Sequence, residues 1–167
     1  HIQATGVDGK GRLQYRYHPD WVEMKASMKF DGILGFAEAL PALRAKIEKD
    51  LKSTEMTLNK VSALVVRLID LYHIRVGSDE YAKTNESYGL TTLKEGHFSH
   101  ITGKKAEGKH DALFEFTGKS GKEWKIKIED DSLVQMILET KKLGDEDDEQ
   151  DLFYYHNLET GNHNDLK

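Results

Sequence analysis

The sequence predicts an α+β fold that is mostly helical and contains one three-stranded antiparallel sheet. The first indication is residues 23–72, where apolar residues recur at the three- and four-residue spacing of amphipathic helices. The second is a change of period after Gly89, where short apolar runs are separated by glycine-containing turns. The length of 167 residues allows one well-buried core and at most part of a second domain.

The first 22 residues are rich in glycine, tyrosine and basic side chains. Residues 7–11 carry a turn signal, and the segments 2–5 and 13–17 on either side of it can be extended. We therefore predict a β-hairpin at this end of the chain.

Helical periodicity follows in two long stretches. Residues 23–51 are predicted to be helical, with Pro41 either kinking the helix or starting a new one. Ser53 or Thr57 can cap the next helix, which runs to about Tyr72. Its apolar face is predicted to lie in the core and consists of Val61, Leu64, Val65, Leu68, Leu71 and Tyr72.

Beyond these helices we predict one short helix and then mainly strands. The helix covers residues 79–85, and extended structure begins at Leu90 to Leu93. Three strands are expected at residues 98–102, 112–117 and 124–128, joined by hairpin turns at 103–110 and 118–121. The last strand alternates polar and apolar residues, as a half-buried strand does.

The C-terminal part predicts one more helix and one more strand. Asp130 or Asp131 can cap a helix of about twelve residues, with an apolar face of Leu133, Val134, Ile137 and Leu138. Residues 144–151 form an acidic loop, and residues 152–155 form a short apolar strand. We expect the remaining polar tail to be frayed.

The net charge of −5 is unevenly distributed. Residues 1–128 carry 21 Lys and Arg against 17 Asp and Glu, whereas residues 129–167 carry 3 against 12. A mildly basic body can bind phosphates locally, because screening limits the influence of the acidic end to about 8–10 Å. The alternative is an ordinary solvated surface.

Cysteine is absent, which excludes disulfides and thiolate metal sites and favours an intracellular protein. No segment approaches the length of a membrane span, and no apolar signal region begins the chain. The eight histidines show no metal-binding spacing, since His97 and His100 would lie on opposite faces of a strand. We therefore expect no metal site.

Arg75 is the first candidate for chemistry, because it follows a strongly apolar helix. A guanidinium at the buried end of a helix is costly unless an anion meets it. Its planar fork matches the oxygens of a phosphate. On composition alone, a structural salt bridge with Asp70, Asp79 or Glu80 is the favoured interpretation.

Lys119 lies in a Gly-Lys-Ser-Gly turn that superficially resembles a phosphate-binding loop. The glycine spacing is wrong for such a loop and no helix follows, so from composition a solvated turn lysine is favoured. Tyr154 and Tyr155 lie in an apolar, strand-like stretch, which indicates a core or edge strand rather than a nucleophile.

Four segments in a fixed order resemble one protein family. They are Lys10-Gly-Arg-Leu-Gln-Tyr-Arg-Tyr17, Ile74-Arg-Val-Gly77, Ser87-Tyr-Gly-Leu-Thr-Thr-Leu93 and Phe116-Thr-Gly-Lys-Ser-Gly-Lys122. Together they are similar to segments of the type IB DNA topoisomerases, in the bacterial and poxvirus-like branch. The resemblance extends from His1 to about Tyr155.

The resemblance implies the catalytic core shared by type IB topoisomerases and tyrosine recombinases. Residues 1–22 would be the end of an N-terminal DNA-binding β domain and its connector. Residues 23–167 would be the N-terminal part of the catalytic domain, with the C-terminal part absent. The chain begins with His1, so we expect the natural reading frame to start upstream. The family's second catalytic arginine, its histidine or asparagine, and its nucleophilic tyrosine are expected beyond Lys167.

The resemblance also implies two catalytic roles. Arg75 would stabilise the negative charge that builds on the scissile phosphate in the transition state. Lys119 directly follows the glycine of a hairpin that, in the family, reaches into the DNA minor groove. It would be the general acid that protonates the 5′-hydroxyl leaving group. Lys122, three residues later, is the alternative acid, and we assign it a DNA contact instead.

Further DNA contacts follow from the same resemblance. Phosphate contacts are expected from Lys10 and Arg12, a base-edge contact from Gln14, and groove contacts from Tyr15 and Tyr17. The alternative is that one or both of these tyrosines pack in the core of the hairpin. Two other residues match family positions near the DNA backbone, each with a mainly structural role as the alternative: Tyr81 and Thr92.

The implied parent is a DNA topoisomerase that relaxes supercoiled DNA through a transient 3′-phosphotyrosyl break. It would need neither ATP nor a cofactor, because covalent catalysis keeps the energy of the phosphodiester. Its partner would be duplex DNA and not a membrane, and we expect a monomeric, cytoplasmic, nucleoid-associated protein. The alternatives are a tyrosine recombinase and a non-catalytic DNA-binding module on the same scaffold.

Overall fold

The computed structural model of the chain describes residues 1–101, 111–145 and 147–166. These residues form two compact units, His1–Ala45 and Lys46–Lys167, which are described in turn. Helices, one three-stranded antiparallel sheet and two separate two-stranded sheets make up the fold, so the predicted α+β class is confirmed. Within the described ranges, no helix combines the length and the apolar character that crossing a bilayer requires.

The first unit consists of a hairpin and most of a long helix. Strands β1 (Ile2–Val7) and β2 (Leu13–Tyr17) pair antiparallel, which confirms the predicted hairpin. Helix α1 (Pro19–Leu51) begins directly after β2 and ends in the second unit. Pro41 lies inside α1 and starts no new helix. Proline removes only one backbone hydrogen-bond donor, and the helix continues on both sides of it.

The second unit is built around helix α2 (Leu58–Tyr72). Thr57, and not Ser53, caps it, since the Thr57 hydroxyl accepts a hydrogen bond from the Lys60 amide at 3.4 Å. Four of the predicted face residues are buried: Val61, Leu64, Val65 and Leu68. Leu71 was also expected in the core, but it lies at the edge of this face and is exposed.

The segment after α2 contains helix α3 (Asp79–Asn85), as predicted, and then a 3₁₀ turn at Leu90–Thr92. Extended structure was expected at Leu90 to Leu93, and this prediction is wrong. The Gly89 amide donates to the Thr92 hydroxyl at 3.0 Å, and the Thr92 amide donates to the Gly89 carbonyl at 3.0 Å. This local pair of hydrogen bonds closes the turn before a strand can form.

The sheet contains strands β3 (Phe98–Ile101), β4 (Asp111–Gly118) and β5 (Lys122–Ile128), with β4 in the centre. All pairs are antiparallel. Every second residue of β4 is buried, so one face of the sheet covers the core. The three predicted strands are confirmed, whereas the turn predicted at residues 103–110 lies outside the described residues.

After the sheet, helix α4 (Asp131–Lys141) begins with Asp130 as its cap, because the Asp130 carboxylate accepts from the Leu133 amide at 3.2 Å. A further hairpin follows, formed by β6 (Tyr154–His156) and β7 (His163–Asp165).

The prediction of a frayed tail is wrong. Leu166 packs against the core and its amide donates to the carbonyl of Phe153 at 2.8 Å. The chain reverses at Asn157, whose side chain accepts from the Glu159 amide at 3.0 Å, and at Gly161, which has a φ of +71°.

The core of the second unit lies between α2, α4 and the buried face of the sheet. Its fully buried members include Leu64, Leu68, Phe114, Ile128, Ile137 and Phe153. Complete burial of each such side chain contributes about 1.5–3 kcal/mol to stability. Ile74, Leu90 and Phe116 belong to the same core, and they anchor the three segments that carry the candidate site.

Candidate active site

The position of Arg75 follows from the end of α2. His73 ends that helix in the left-handed region, at a φ of 58°, and its amide donates to the Ile69 carbonyl at 2.9 Å. The next residue, Ile74, is buried in the core, with 4% of its surface exposed. Residues 73–78 are not helical, so Arg75 projects to the surface while its neighbour anchors the backbone.

The position of Lys119 follows from the turn between β4 and β5. Gly118 pairs with Lys122 in the ladder, so the chain reverses through the three residues between them. Ser120 and Gly121 both have a positive φ, 68° and 72°, as a tight reversal requires. Lys119 is exposed at the tip of this hairpin.

Arg75 and Lys119 lie at the same pocket, although they are far apart in the sequence. The pocket has a volume of about 220 Å³. Its lining residues are Arg75, Gly77, Ser78, Tyr81, Ser87, Tyr88, Gly89 and Lys119. A smaller, more enclosed recess is also lined by Arg75 and Lys119, with Trp124 on its wall. The two predicted catalytic residues are thus brought together.

The pocket has the electrostatic character of an anion site. Its lining contains two basic side chains and no carboxylate. Within the described ranges, neither Arg75 nor Lys119 forms an ion pair with an acidic residue, in contrast to the salt bridge that composition favoured for Arg75. Two cations, two serine hydroxyls and two tyrosine side chains can together surround a phosphate group.

Lys122 does not line this pocket. Its ammonium group lies over the ring of Trp124, 4.7 Å from the ring centre, in the geometry of a cation–π contact. Trp124 in turn stacks on Phe116 at 6.4 Å between ring centres. Of the two hairpin lysines, Lys119 is the one that lines the pocket together with Arg75.

Tyr81 and Thr92 have different surroundings. Tyr81 lies on α3, is half exposed and lines the pocket with Arg75. Thr92 is buried, with 3% of its surface exposed, and its hydroxyl both donates to and accepts from the backbone of Gly89. It lines a separate depression with Lys94 and Asp151. Tyr81 is therefore available to a ligand, whereas the hydroxyl of Thr92 is engaged internally.

The predicted DNA contacts at the start of the chain belong to the first unit. Asp8 organises them, because its carboxylate accepts from the amides of Lys10 and Arg12 at 2.9 and 3.0 Å. It also accepts from the side chains of Arg12 and Gln14 at 2.8 and 3.2 Å. The hydrogen bond from the Arg12 side chain lowers the pKa of Asp8 to about 2, so Asp8 is ionised at neutral pH.

Tyr15 and Tyr17 lie on β2 and stack on each other, with ring centres 6.2 Å apart. Both are partly exposed, at 48% and 37%, so neither is buried in a hairpin core. The ammonium group of Lys25 lies 5.9 Å from the centre of the Tyr17 ring. The two rings and the neighbouring basic groups form one exposed aromatic and cationic surface within the first unit.

Tyr154 and Tyr155 lie on strand β6, as expected from their apolar surroundings. The Tyr154 amide donates to the Thr140 hydroxyl at 2.7 Å, and the Tyr155 hydroxyl accepts from the Asn164 side chain at 3.4 Å. Neither residue lines the pocket that holds Arg75 and Lys119. Within the described residues, no group of three or more histidine or acidic side chains is placed to hold a metal ion.

Sequence reasoning missed Ser87 and Tyr88 as part of the site. Both line the pocket, and Tyr88 also borders the recess beside Lys119. The Tyr88 ring packs against His97 at 4.4 Å between ring centres. The available signal was that both residues begin the Ser87–Leu93 segment, which is one of the four segments that carry the family resemblance.

The chain belongs to the DNA topoisomerase I catalytic-core family. A family profile described as the catalytic core of eukaryotic DNA topoisomerase I matches residues 19–166. The chain is 31% identical over 142 residues to DNA topoisomerase 1B of Acanthamoeba polyphaga mimivirus, and the match covers 85% of this chain. It is 29% identical over 143 residues to DNA topoisomerase 1B of vaccinia virus, with 82% of this chain covered. The predicted resemblance to type IB enzymes is confirmed, while bacterial origin stays a prediction.

The chain spans less than half the length of the curated relatives it matches. It covers 40% of the mimivirus protein and 46% of the vaccinia virus protein. A relative named DNA topoisomerase I from monkeypox virus is 28% identical and is covered to the same 46%.

Proposed function

We propose that this chain is part of a type IB DNA topoisomerase, whose full-length parent relaxes supercoiled DNA without ATP. The observation that carries the proposal is the shared pocket of Arg75 and Lys119, because it joins an arginine fork and a hairpin lysine at one anion-binding surface. Family membership supports the same conclusion, since the matching relatives are named DNA topoisomerases.

The proposed reaction is a transesterification at one phosphodiester. A tyrosine hydroxyl gives up its proton to solvent and attacks the phosphorus, a phosphotyrosyl bond to the 3′ side forms, and the bond to the 5′-oxygen breaks. Arg75 stabilises the negative charge on the non-bridging oxygens in the transition state. Lys119 gives a proton to the departing 5′-oxygen. The reverse reaction restores the phosphodiester, so the number of ester bonds is conserved and no external energy source is needed.

Within this proposal the nucleophilic tyrosine, the second arginine and the histidine or asparagine lie in parts of the parent beyond this chain. Residues 23–167 are the N-terminal part of the catalytic domain, and residues 1–22 are the end of a DNA-binding β domain with its connector. Tyr81 is near enough to the pocket to contact the DNA backbone beside the scissile phosphate.

Duplex DNA is the proposed partner. The exposed surface of Tyr15, Tyr17 and the neighbouring basic groups suits DNA, because basic side chains bond to phosphates and base edges and apolar ring faces can pack in a groove. Lys10 and Arg12 are proposed to contact phosphates and Gln14 a base edge, and Lys122 is proposed as a further phosphate contact from the hairpin.

The test is relaxation of supercoiled plasmid by the purified full-length parent in EDTA and without ATP. We expect complete relaxation and, after denaturation, a protein–DNA adduct joined through the 3′ phosphate. Arg75→Ala should slow both by orders of magnitude. Strand exchange between two duplexes without relaxation would indicate a recombinase, and binding without any adduct would indicate a non-catalytic module. Either result would overturn the proposal.

The 167-residue chain alone should neither relax the plasmid nor form the adduct. Metal-free relaxation by the pure chain that is lost in Tyr154→Phe or Tyr155→Phe would show that the nucleophile lies on strand β6. That outcome would contradict the placement of the active site at Arg75 and Lys119.

A further inference from the structure

We propose that Gly89 is a positioning residue for Arg75, and that Ser87 is a positioning residue for Lys119. Both lie in the Ser87–Thr92 segment, which we call the bridging segment. The inference rests on the proposed function, since it assumes that Arg75 and Lys119 act on the same phosphate. It adds a structural element that holds the two catalytic groups at a fixed separation.

One end of the bridging segment is fixed to the Lys119 hairpin. The Tyr88 amide donates to the carbonyl of Thr117 at 2.8 Å. The Ser87 hydroxyl lies 3.3 Å from the carbonyl oxygen of Gly118, the residue directly before Lys119. Both contacts are made to the last two residues of β4, so the start of the bridging segment sets the position of the turn.

The other end is fixed to the backbone of Arg75. The Leu90 amide donates to the Arg75 carbonyl at 2.7 Å, and the Thr91 amide donates to the Val76 carbonyl at 2.7 Å. The Thr91 hydroxyl also donates to the Val76 carbonyl, at 3.0 Å. Because Leu90 is fully buried in the core, this end cannot shift without disturbing the interior.

Gly89 lies between these two attachments, at a point where the chains almost touch. A Cβ atom on Gly89 would lie 2.5 Å from both Cα and N of Gly77 and 2.8 Å from the Arg75 carbonyl oxygen. All three are backbone atoms, so no side chain can move aside. The φ of Gly89 is −136°, which any residue can adopt. Glycine is therefore required here for space and not for backbone conformation.

An alanine at position 89 would push the segment that carries Arg75 away from the bridging segment. The attachment to β4 would stay, so Arg75 would move relative to Lys119. A displacement of about 1 Å in a reacting group can slow a reaction about 100-fold. The contribution of Arg75 to catalysis would be lost while most of the fold and the DNA-binding residues remained in place.

The experiment is a pair of double-mutant cycles measured by single-turnover cleavage of a duplex by the full-length parent. Gly89→Ala should slow cleavage about 10-fold or more. In an Arg75→Ala background the same substitution should slow cleavage less than about 2-fold, because the group it displaces is already gone. Gly32→Ala is the matched control, since a Cβ there meets nothing within 4 Å, and it should leave the rate unchanged.

The second cycle pairs Ser87→Ala with Lys119→Ala. It tests the positioning role of the bridging segment even if Gly89→Ala does not fold. Ser87→Ala removes one hydroxyl without adding any atom, and the backbone bond of Tyr88 remains. It should slow cleavage about 3-fold or more in the wild-type parent, and it should have no further effect once Lys119 is absent. Equilibrium binding to the uncleaved duplex should stay within about 2-fold of the wild-type value for Gly89→Ala, Ser87→Ala and Gly32→Ala.

The outcomes separate this inference from the proposed function. Arg75→Ala and Lys119→Ala parents that cleave at the wild-type rate would overturn the proposed function, and this inference with it. Slow Arg75→Ala and Lys119→Ala parents combined with fully additive cycles would overturn the positioning roles alone. A Gly89→Ala variant that folds and cleaves at the wild-type rate would also overturn the positioning role of Gly89.

Discussion

The ammonium group of Lys141 lies 2.7 Å from Oε2 of Glu95, whose side chain is only 1% exposed. The contact has the distance of an ion pair, although Oε2 receives no hydrogen bond of good geometry from the described residues. The other oxygen, Oε1, accepts a hydrogen bond from the Gln150 side chain. Glu95 therefore joins the end of α4 and the acidic loop to the turn that precedes β3.

Removing Lys141 should destabilise the second unit strongly. Lys141→Met leaves the Glu95 carboxylate buried without its counter-ion, and breaking a buried pair costs about 3–5 kcal/mol. We expect the lower end of that range, since Lys141 itself is 29% exposed and water can reach the pair. Urea unfolding at pH 7 measures the change.

The control for this substitution is Lys125→Met. Lys125 pairs with Glu115 at 2.5 Å, but their side chains are 75% and 43% exposed. An exposed pair contributes little, so this variant should unfold at almost the same urea concentration as the wild type. Equal losses for Lys125→Met and Lys141→Met would contradict the importance of the buried pair.

His97 should make stability depend on pH between neutral and mildly acidic conditions. Burial lowers the pKa of His97 below its ordinary value of 6.5, and the nearby Lys94 lowers it further, although Glu149 raises it. Its Nδ1 accepts a hydrogen bond from the Lys94 amide at 3.0 Å, which requires that this nitrogen carry no proton. Folding is thus linked to the neutral ring.

The free energy of unfolding should fall as the pH falls, because the unfolded chain binds the proton more readily than the folded chain. Well above pH 6.5 the ring is neutral in both the folded and the unfolded chain. As the pH falls below 6.5 the unfolded chain takes up the proton first, so the free energy of unfolding decreases. The decrease between pH 7.5 and 5.5 should be smaller in His97→Asn, which keeps an acceptor but does not titrate. NMR titration that shows the His97 pKa above 6.5 would refute the argument.

The parts of the fold that could be predicted are those governed by periodicity. The alternation of residues 124–128 and the apolar stripe of α2 depend only on local spacing, and both elements lie where they were expected. The 3₁₀ turn at Leu90–Thr92 and the hairpin formed by β6 and β7 depend on particular contacts. In the first, the Thr92 hydroxyl bonds to Gly89, and in the second, Leu166 reaches the core. Sequence spacing does not reveal such contacts.

The same distinction holds for the candidate site. Arg75 and Lys119 were predicted from a family resemblance, whereas composition alone favoured a salt bridge and a solvated turn. Their proximity depends on β4, which carries the hairpin to the end of α2, and on the backbone contact between Gly77 and Gly89. No local pattern encodes that contact, because it joins two glycines that are separated by helix α3.

The isolated chain should bind duplex DNA weakly and with a steep dependence on salt. Each phosphate contact should contribute about −0.9 to the slope of log K against log salt concentration. Lys10→Ala and Lys119→Ala should each make the slope less negative by about 0.9. Lys46→Ala is the control, because Lys46 is paired with Asp50 at 2.7 Å on α1 and is not among the proposed contacts.

Fluorescence anisotropy with a labelled duplex measures this slope. The lowest salt concentration should be about 20 mM, where the screening length is roughly 20 Å. Absence of binding even under that condition would count against a preformed DNA-binding surface. A slope that is the same for Lys119→Ala and Lys46→Ala would exclude Lys119 as a phosphate contact.

In the full-length parent, Arg75→Ala and Lys119→Ala should both slow DNA cleavage, but only the lysine variant should be rescued by a better leaving group. Replacing the 5′-oxygen at the cleavage site by sulfur lowers the pKa of the leaving group, so that it departs without a general acid. A general acid typically contributes about 10²–10⁴-fold, and Lys119→Ala should recover most of that factor on the 5′-thio substrate. Arg75→Ala should stay slow, because the charge on the non-bridging oxygens is unchanged.

Lys122→Ala serves as the comparison, since the ammonium group of Lys122 lies over Trp124 and not at the pocket. Rescue of Lys122→Ala without rescue of Lys119→Ala would show that the acid is the other lysine of this hairpin.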